Sequence, residues 1–163
     1  IGEALEGKRG LYLAFNKAIA TEAATRFPDS VECRTAHSLA YAAVGYKYRD
    51  RFQRLSGTIL ATQYLGLPEN VCGISGPAFG GLVLDTISHY CYSADLEITS
   101  DHAPWGTLKK IEDSAVRYAV AEEAVRQARL AWPMMIDPTG TCPITHDVYL
   151  KLWSLSKPKF SRD

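Results

Sequence analysis

The first apolar block of the chain is continuous. Leu11-Tyr12-Leu13-Ala14-Phe15 follows Gly10 without a polar interruption, the pattern of a strand buried on both faces, as in a parallel sheet. Asn16 is a good N-cap residue. Lys17 to Phe27 then sets Ile19, Ala23 and Phe27 at helical spacing, and Pro28-Asp29 breaks the helix. Val31 to Thr35 reads as a second short strand, and Thr35 is placed to cap a helix starting near His37 and running through Leu39, Ala40 and Val44 to Gly45. Strand, helix, strand, helix makes one compact unit.

Beyond Gly45 the pattern changes. Tyr46 to Arg54 is basic and aromatic and reads as a solvated loop or hairpin. Ser56 to Leu65 carries Ile59, Leu60 and Tyr64 on one helical face, and Gly66-Leu67-Pro68 stops it. Val71 to Phe79 reads as a Gly-rich connection. Gly80 to Cys91 spaces Leu84, Ile87 and Cys91 for a buried face, and Ser100 to Gly106 is a loop. Lys109 to Met135 forms one long helical pattern through Ile111, Ala115, Tyr118, Ala119, Ala121, Val125, Ala128 and Trp132, ended or kinked by Pro133 and Pro138. Glu122 and Arg126 are spaced for an i,i+4 pair on its solvated face. His146 to Leu155 is a last short helix.

The expected fold is an α/β corner of two short parallel strands followed by a mostly helical region, predominantly α overall. A two-strand corner is a poor sheet by itself, so the rest of a parallel sheet is expected outside this stretch. Both ends agree with that. The chain starts at Ile1 and stops at Ser161-Arg162-Asp163, which read as cuts inside a longer protein or as a disordered remainder.

Composition narrows the function less than pattern does. The chain has 163 residues, 47% of them hydrophobic and 22% charged, the make-up of one ordinary globular domain. Lys plus Arg and Asp plus Glu each number 18, so a nucleic-acid site has to be a local patch. No apolar run approaches the roughly 20 residues of a membrane helix, and no membrane partner is expected. Cys33, Cys72, Cys91 and Cys142 are scattered without a C-x-x-C pair, which argues for free thiols in a reducing cytoplasm and against a zinc site. Asp85, Asp95 and Glu97 are acidic, but nothing in the spacing gathers them.

Three blocks carry a resemblance. Leu11-Tyr12-Leu13-Ala14-Phe15-Asn16-Lys17-Ala18-Ile19-Ala20 is similar to motif Ia of the UvrD/Rep group of superfamily 1 DNA helicases. Arg34-Thr35-Ala36-His37-Ser38-Leu39-Ala40 resembles motif Ib of that group, with Ala36 where the family usually has an aromatic residue. Ile144-Thr145-His146-Asp147-Val148-Tyr149-Leu150-Lys151-Leu152-Trp153-Ser154-Leu155-Ser156-Lys157-Pro158 resembles the segment before the Walker B strand in the F-box DNA helicase branch, and Val83 to Asp95 resembles the same branch more loosely. The resemblance implies that the corner belongs to an incomplete P-loop NTPase-type sheet. Residues 1–45 would be part of motor domain 1A, 46–143 a helical insertion like domain 1B that faces the duplex, and 144–163 the return toward Walker B. The chain contains no G-x-x-x-x-G-K-[ST] loop. ATP and Mg²⁺ therefore belong to the parent family, and no cofactor, metal or catalytic residue is expected here.

The implied partner is single-stranded DNA or a single/double-strand junction, together with the rest of the helicase. The implied location is cytoplasmic, on the nucleoid in a bacterium or in the nucleus of a eukaryote. Asn16 and Lys17 open a helix whose first amides suit a phosphate; the alternative is a plain cap and a solvated lysine. Phe15 either stacks on an unpaired base or ends the strand inside the core. Thr35, His37 and Ser38 contact backbone phosphates or merely cap the next helix. Lys47, Arg49, Arg51 and Arg54, interleaved with Tyr46, Tyr48 and Phe52, suit single-stranded nucleic acid or form a solvated run. A rival to the helicase reading is a non-enzymatic module that binds nucleic acid or protein, and a third is an interaction domain that binds protein only.

Overall fold

In a computed structural model, described over residues 7–159, the chain is predominantly helical with one short parallel sheet. Strand β1 (Gly10–Ala14) pairs in parallel with β2 (Val31–Thr35), in a register that sets Gly10 opposite Val31 and Ala14 opposite Thr35. Helix α1 (Lys17–Arg26) joins them. It packs on the sheet through buried Ala20 and Ala23, and Phe27 lies against Tyr12 with ring centroids 5.1 Å apart. Helix α2 (Ala36–Ala43) follows β2 directly.

The expectation that β1 is buried on both faces is not met. Only Ala14 is buried, and Leu13 is 47% exposed. The reason is geometric: a strand with one sheet neighbour and one covering helix has a second edge and a second face that nothing in the described residues fills.

The segment Gly45–Arg51, expected as a solvated loop or hairpin, is instead a 3-10 helix with Tyr48 and Arg51 buried. Helix α3 (Gly57–Ile59) continues as a π-helical turn over Leu60–Leu65 and ends at Gly66, whose φ of 57° is the left-handed conformation glycine adopts at a helix stop. The stretch expected as a connection holds a small hairpin, β3 (Asn70–Val71) with β4 (Ile74–Ser75). Its turn residues Cys72 and Gly73 both have positive φ, as a two-residue hairpin demands.

Helix α4 (Gly76–Tyr92) begins four residues earlier than its apolar spacing suggested, with Pro77 in its first turn. Short turns follow at Ser100–His102 and α5 (Trp105–Leu108). The long helix is α6 (Ser114–Ile136), shorter at its start than expected because Asp113 caps it, its carboxylate accepting from the amides of Ala115 and Val116. Pro133 sits inside its last turn and does not end it. The last helix, α7, spans His146–Leu155 as the pattern indicated.

One core serves the helical region. Phe79, Val83, Ile87 and Tyr90 on α4 meet Val120, Ala121, Ala124, Ala128 and Ala131 on α6, with Leu60, Leu108, Ile144 and Val148 closing the sides. Each large apolar side chain buried there contributes about 1.5–3 kcal/mol. The alanines matter for shape, since a row of small residues lets two helices approach closely. The expected stripe on the long helix holds only from Ala121 onward: Ala115, Tyr118 and Ala119 face solvent, whereas Ala121, Val125 and Ala128 are buried. The solvated pair on that helix is Glu123 with Arg126, at 2.6 Å, and not Glu122 with Arg126.

No residue of β1, α1 or β2 joins this core. The α/β corner is held to the helical region through α2, which packs on α7. A ring cluster fills that joint. Tyr149 of α7 is buried and meets the rings of Tyr41 on α2 (5.9 Å), Phe52 (5.6 Å) and His146 (5.6 Å) edge-on.

Candidate nucleic-acid interface

Parallel pairing decides where the two motif turns go. Because Ala14 is the register partner of Thr35, the chain leaves both strands at the same end of the sheet. Phe15-Asn16-Lys17 and Ala36-His37-Ser38 are therefore neighbours. This is the carboxyl end of the strands, where open α/β sheets place their ligands.

At the first turn Phe15 is 92% exposed, so it does not end the strand inside a core. Asn16 caps α1 with its side-chain oxygen, which accepts from the Ile19 amide at 2.9 Å. Its amide group makes no hydrogen bond among the described residues, so capping and ligand contact are compatible. Lys17 is exposed and makes no ion pair among the described residues. The first amides of α1, those of Lys17 and Ala18, have no intrahelical acceptor.

The second turn is more committed to its own fold. Thr35 and Ser38 form a capping box: the Thr35 hydroxyl accepts from the Ser38 amide at 3.1 Å, and the Ser38 hydroxyl accepts from the Thr35 amide at 3.2 Å. The Ser38 hydroxyl also donates to the Thr35 carbonyl at 2.8 Å and accepts from the Arg34 guanidinium at 3.2 Å. Ser38 thus has no hydroxyl proton left for a ligand. His37 is exposed, with Nε2 3.5 Å from Asp147 of α7. Asp147 in turn accepts from the Tyr92 hydroxyl at 3.3 Å.

The basic run divides. Lys47, Arg49 and Arg54 are exposed; Lys47 lies 6.0 Å from the Tyr46 ring centre, and Arg49 pairs loosely with Asp50 at 3.5 Å. Arg51 is different. It is buried, and its guanidinium donates to the carbonyls of Cys142 (2.8 Å), Met135 (2.8 Å) and Asp137 while facing the Tyr48 ring at 5.3 Å. Four carbonyls that α6 and the following turn would leave open gather on one fork. Arg51 is a structural clamp, and its place among the candidate contacts is withdrawn for that reason.

Acid–base machinery does not assemble from the acidic candidates. Asp95 and the Ser93 hydroxyl both lie 3.0 Å from Nε2 of buried His102. The Nδ1 of that ring accepts from the Thr99 amide at 2.9 Å, so Nε2 carries the proton and donates. The Ser93 hydroxyl donates to the Tyr90 carbonyl. A histidine that donates toward a serine has no lone pair to activate it. Lys151 completes this knot from α7: its ammonium, its pKa lowered by burial, donates to the carbonyls of Ser93 (2.9 Å) and Asp95 (2.7 Å) over the Tyr90 ring. Among the described residues no group of three or more His, Cys, Asp or Glu gathers to hold a metal, and no helix is long and apolar enough to cross a membrane.

A groove of about 870 Å³ lies elsewhere. It lies between Leu11, Glu32, Leu39 and Trp153 and reaches Arg9 and Ser30 at the start of the strands. None of the motif-turn residues lines it, and it coincides with the uncovered face of the sheet.

Sequence reasoning missed the ring cluster and the Asp147 partner of His37. The signal was present: His37 and Tyr41 are four apart on α2, and His146 and Tyr149 three apart on α7, spacings that put each pair on one helix face.

The chain is similar in sequence to proteins named as DNA helicases. It is 35% identical to F-box DNA helicase 1 of Gallus gallus over 156 residues, which cover 93% of this chain and 15% of that protein. It is 26% identical to F-box DNA helicase protein 1 of Schizosaccharomyces pombe (strain 972 / ATCC 24843) over 158 residues, 89% of this chain and 17% of that protein. The chain thus spans about a sixth of the length of these relatives. No protein-family model matches it, and no solved structure matches it significantly.

Proposed function

We propose that the chain supplies part of the single-stranded DNA track of an ATP-driven helicase of the UvrD-like superfamily 1 type. Residues 1–45 are then part of motor domain 1A, 46–143 an inserted 1B-like subdomain, and 144–163 the return toward the Walker B strand. ATP and Mg²⁺ bind elsewhere in the longer protein, and this chain alone does not turn over ATP. Phe15, Asn16, Lys17, Thr35 and His37 contact the strand, with Lys47, Arg49 and Arg54 as outer phosphate contacts. Ser38 acts by holding the second turn. The site of action is the compartment that holds the DNA: nucleoid or nucleus.

One observation carries this reading: the Ala14–Thr35 register sets the two turns side by side, with Phe15 92% exposed between two helix starts. Phosphates suit helix N-termini and a lysine, and an exposed ring suits an unpaired base. The two relatives, both named DNA helicases, support it independently.

The test is fluorescence anisotropy with a labelled oligothymidine at low and moderate salt. The wild-type chain is expected to bind, more weakly as salt rises. Phe15→Ala should bind about 5- to 150-fold more weakly at unchanged melting temperature, because base stacking is lost and little packing goes with it. Absence of binding at low salt by the folded chain contradicts the proposal, as does full affinity in Phe15→Ala.

A further inference from the structure

We infer that the rings at the α2–α7 joint form a second base-stacking platform, which takes unpaired bases of the strand after it has passed the motif turns. This rests on the DNA-track reading and extends it to residues outside the two motif turns. Its members are Tyr41 on α2, Phe52 just after the 3-10 helix, and His146 at the start of α7.

The arrangement is built and not incidental. Phe52 and His146 are stacked in parallel, with centroids 4.8 Å apart and planes 14° apart. Beneath them Tyr149 is 3% exposed, meets both edge-on, and its hydroxyl sits 3.2 Å from His146 Nδ1. Tyr41 tilts against Phe52 at 6.1 Å. The outer members stay open to solvent: Tyr41 is 40% exposed and His146 is exposed. Rings held in place by a buried neighbour have little rotamer freedom to lose when a base stacks on them.

Position and charge choose the occupant. The platform is continuous with the second motif turn, because His37 lies one helical turn before Tyr41 on α2 and meets Tyr149 edge-on at 6.3 Å. On its other side the segment that delivers Phe52 also carries exposed Lys47, Arg49 and Arg54. The carboxylates on the segments that supply these rings have partners: Asp50 pairs with Arg49, and Asp147 with His37 and Tyr92. Open rings delivered by a segment that also carries exposed cations match a polyanion whose repeating unit has a flat apolar face, which describes unpaired nucleotides. A neutral apolar partner that recognised the same rings would make no use of these cations.

The experiment compares two labelled oligonucleotides of equal length and charge, one of thymidines and one abasic, against wild type, the double variant Tyr41→Ala with His146→Ala, and the double variant Tyr41→Phe with His146→Phe. Both altered positions are solvent-facing, and thermal melting checks each fold. The expected result is about 5- to 150-fold weaker binding of the thymidine strand by the alanine pair. Binding of the abasic strand and the salt dependence stay unchanged, and the phenylalanine pair keeps wild-type affinity. Photo-crosslinking of wild type with a 5-iodouracil strand gives a second readout that needs no variant, with adducts expected on Tyr41 or His146. Equal affinity for thymidine DNA in the alanine pair, or equal loss on both strands, overturns the platform while the motif-turn track stands. Adducts confined to other surfaces overturn it likewise. No binding of either strand by wild type overturns both.

Discussion

Ala14 and Thr35 are register partners across the only parallel pair in the described residues. Each is the last residue of its strand, so Phe15 and Ala36 leave the sheet at the same level. A slip of one residue would turn Phe15 toward the covered face, since alternate side chains point to opposite sides. The candidate site is thus a product of register, and its parts come from turns that are 21 residues apart in the chain.

Arg51 and Arg49 separate fold from binding within one basic run. Arg51→Ala leaves the carbonyls of Met135, Asp137 and Cys142 without their donor, and a hydrogen bond to a charged group is worth about 1.5–3 kcal/mol. A loss of about 3 kcal/mol or more in urea-unfolding free energy is expected. Arg51→Lys should recover only part of it, since an ammonium cannot span the same fork. Arg49 is exposed, and Arg49→Ala should change stability by no more than about 0.5 kcal/mol while weakening DNA binding. Equal stability of the two alanine variants would remove the clamp.

Gly80 tests how α3 and α4 meet. A Cβ there would lie 2.1 Å from the Gly57 carbonyl oxygen, and backbone cannot swing aside as a side-chain tip can. Gly80→Ala is expected to destabilise by about 1–3 kcal/mol through overpacking, despite the roughly 1 kcal/mol that alanine gains over glycine in a helix. Gly81 is the control. Nothing lies within 4 Å of its added Cβ, so Gly81→Ala should stabilise by about 0.5–1 kcal/mol. Thermal melts of both variants decide it, and a gain at both positions would contradict the close crossing.

Thiol reactivity follows burial. Cys72 is exposed at the hairpin turn, whereas burial pushes the Cys91 thiol from 9.0 up to about 12 and also raises Cys142. Under native conditions at neutral pH, maleimide should label Cys72 quickly and leave Cys91 and Cys142 unmodified, read by mass spectrometry. The same shift has a stability consequence. An acid whose pKa is higher folded than unfolded keeps its proton only in the folded state, so the unfolded state is favoured as pH rises between about 9 and 12. Stability should fall across that range, less steeply in Cys91→Ala. Burial of Tyr48, Tyr90 and Tyr149 acts in the same direction and leaves a residual slope.

Much of the corner was legible in the sequence because its cues are local. An apolar run, Asn16 and Thr35 as caps, and Pro28 as a breaker place β1, α1, β2 and α2 within a residue or two, and α7 is read from its period alone. What was not legible depends on contacts distant in sequence. Nothing near Arg51 announces that carbonyls some 84 to 91 residues away will close around it, so it looked like its neighbours Arg49 and Arg54. The hairpin at Asn70–Ser75 is too short to show a period, and its strands appear only as a Gly-containing turn. Phe15 could not be placed inside or outside from its own block, because an apolar strand end looks the same whether or not a second sheet neighbour covers it. The ring platform needed two helices to meet, although each contributes its pair at ordinary helical spacing.

The central claim is that the two turns act as one surface for single-stranded DNA, and fluorescence anisotropy of the Lys17→Ala plus His37→Ala variant tests it most directly. The account predicts binding of a labelled oligothymidine by wild type, weaker binding by the double variant, and a salt slope reduced by about one phosphate contact through the loss of Lys17. Wild-type affinity and an unchanged salt slope in a folded double variant would contradict it.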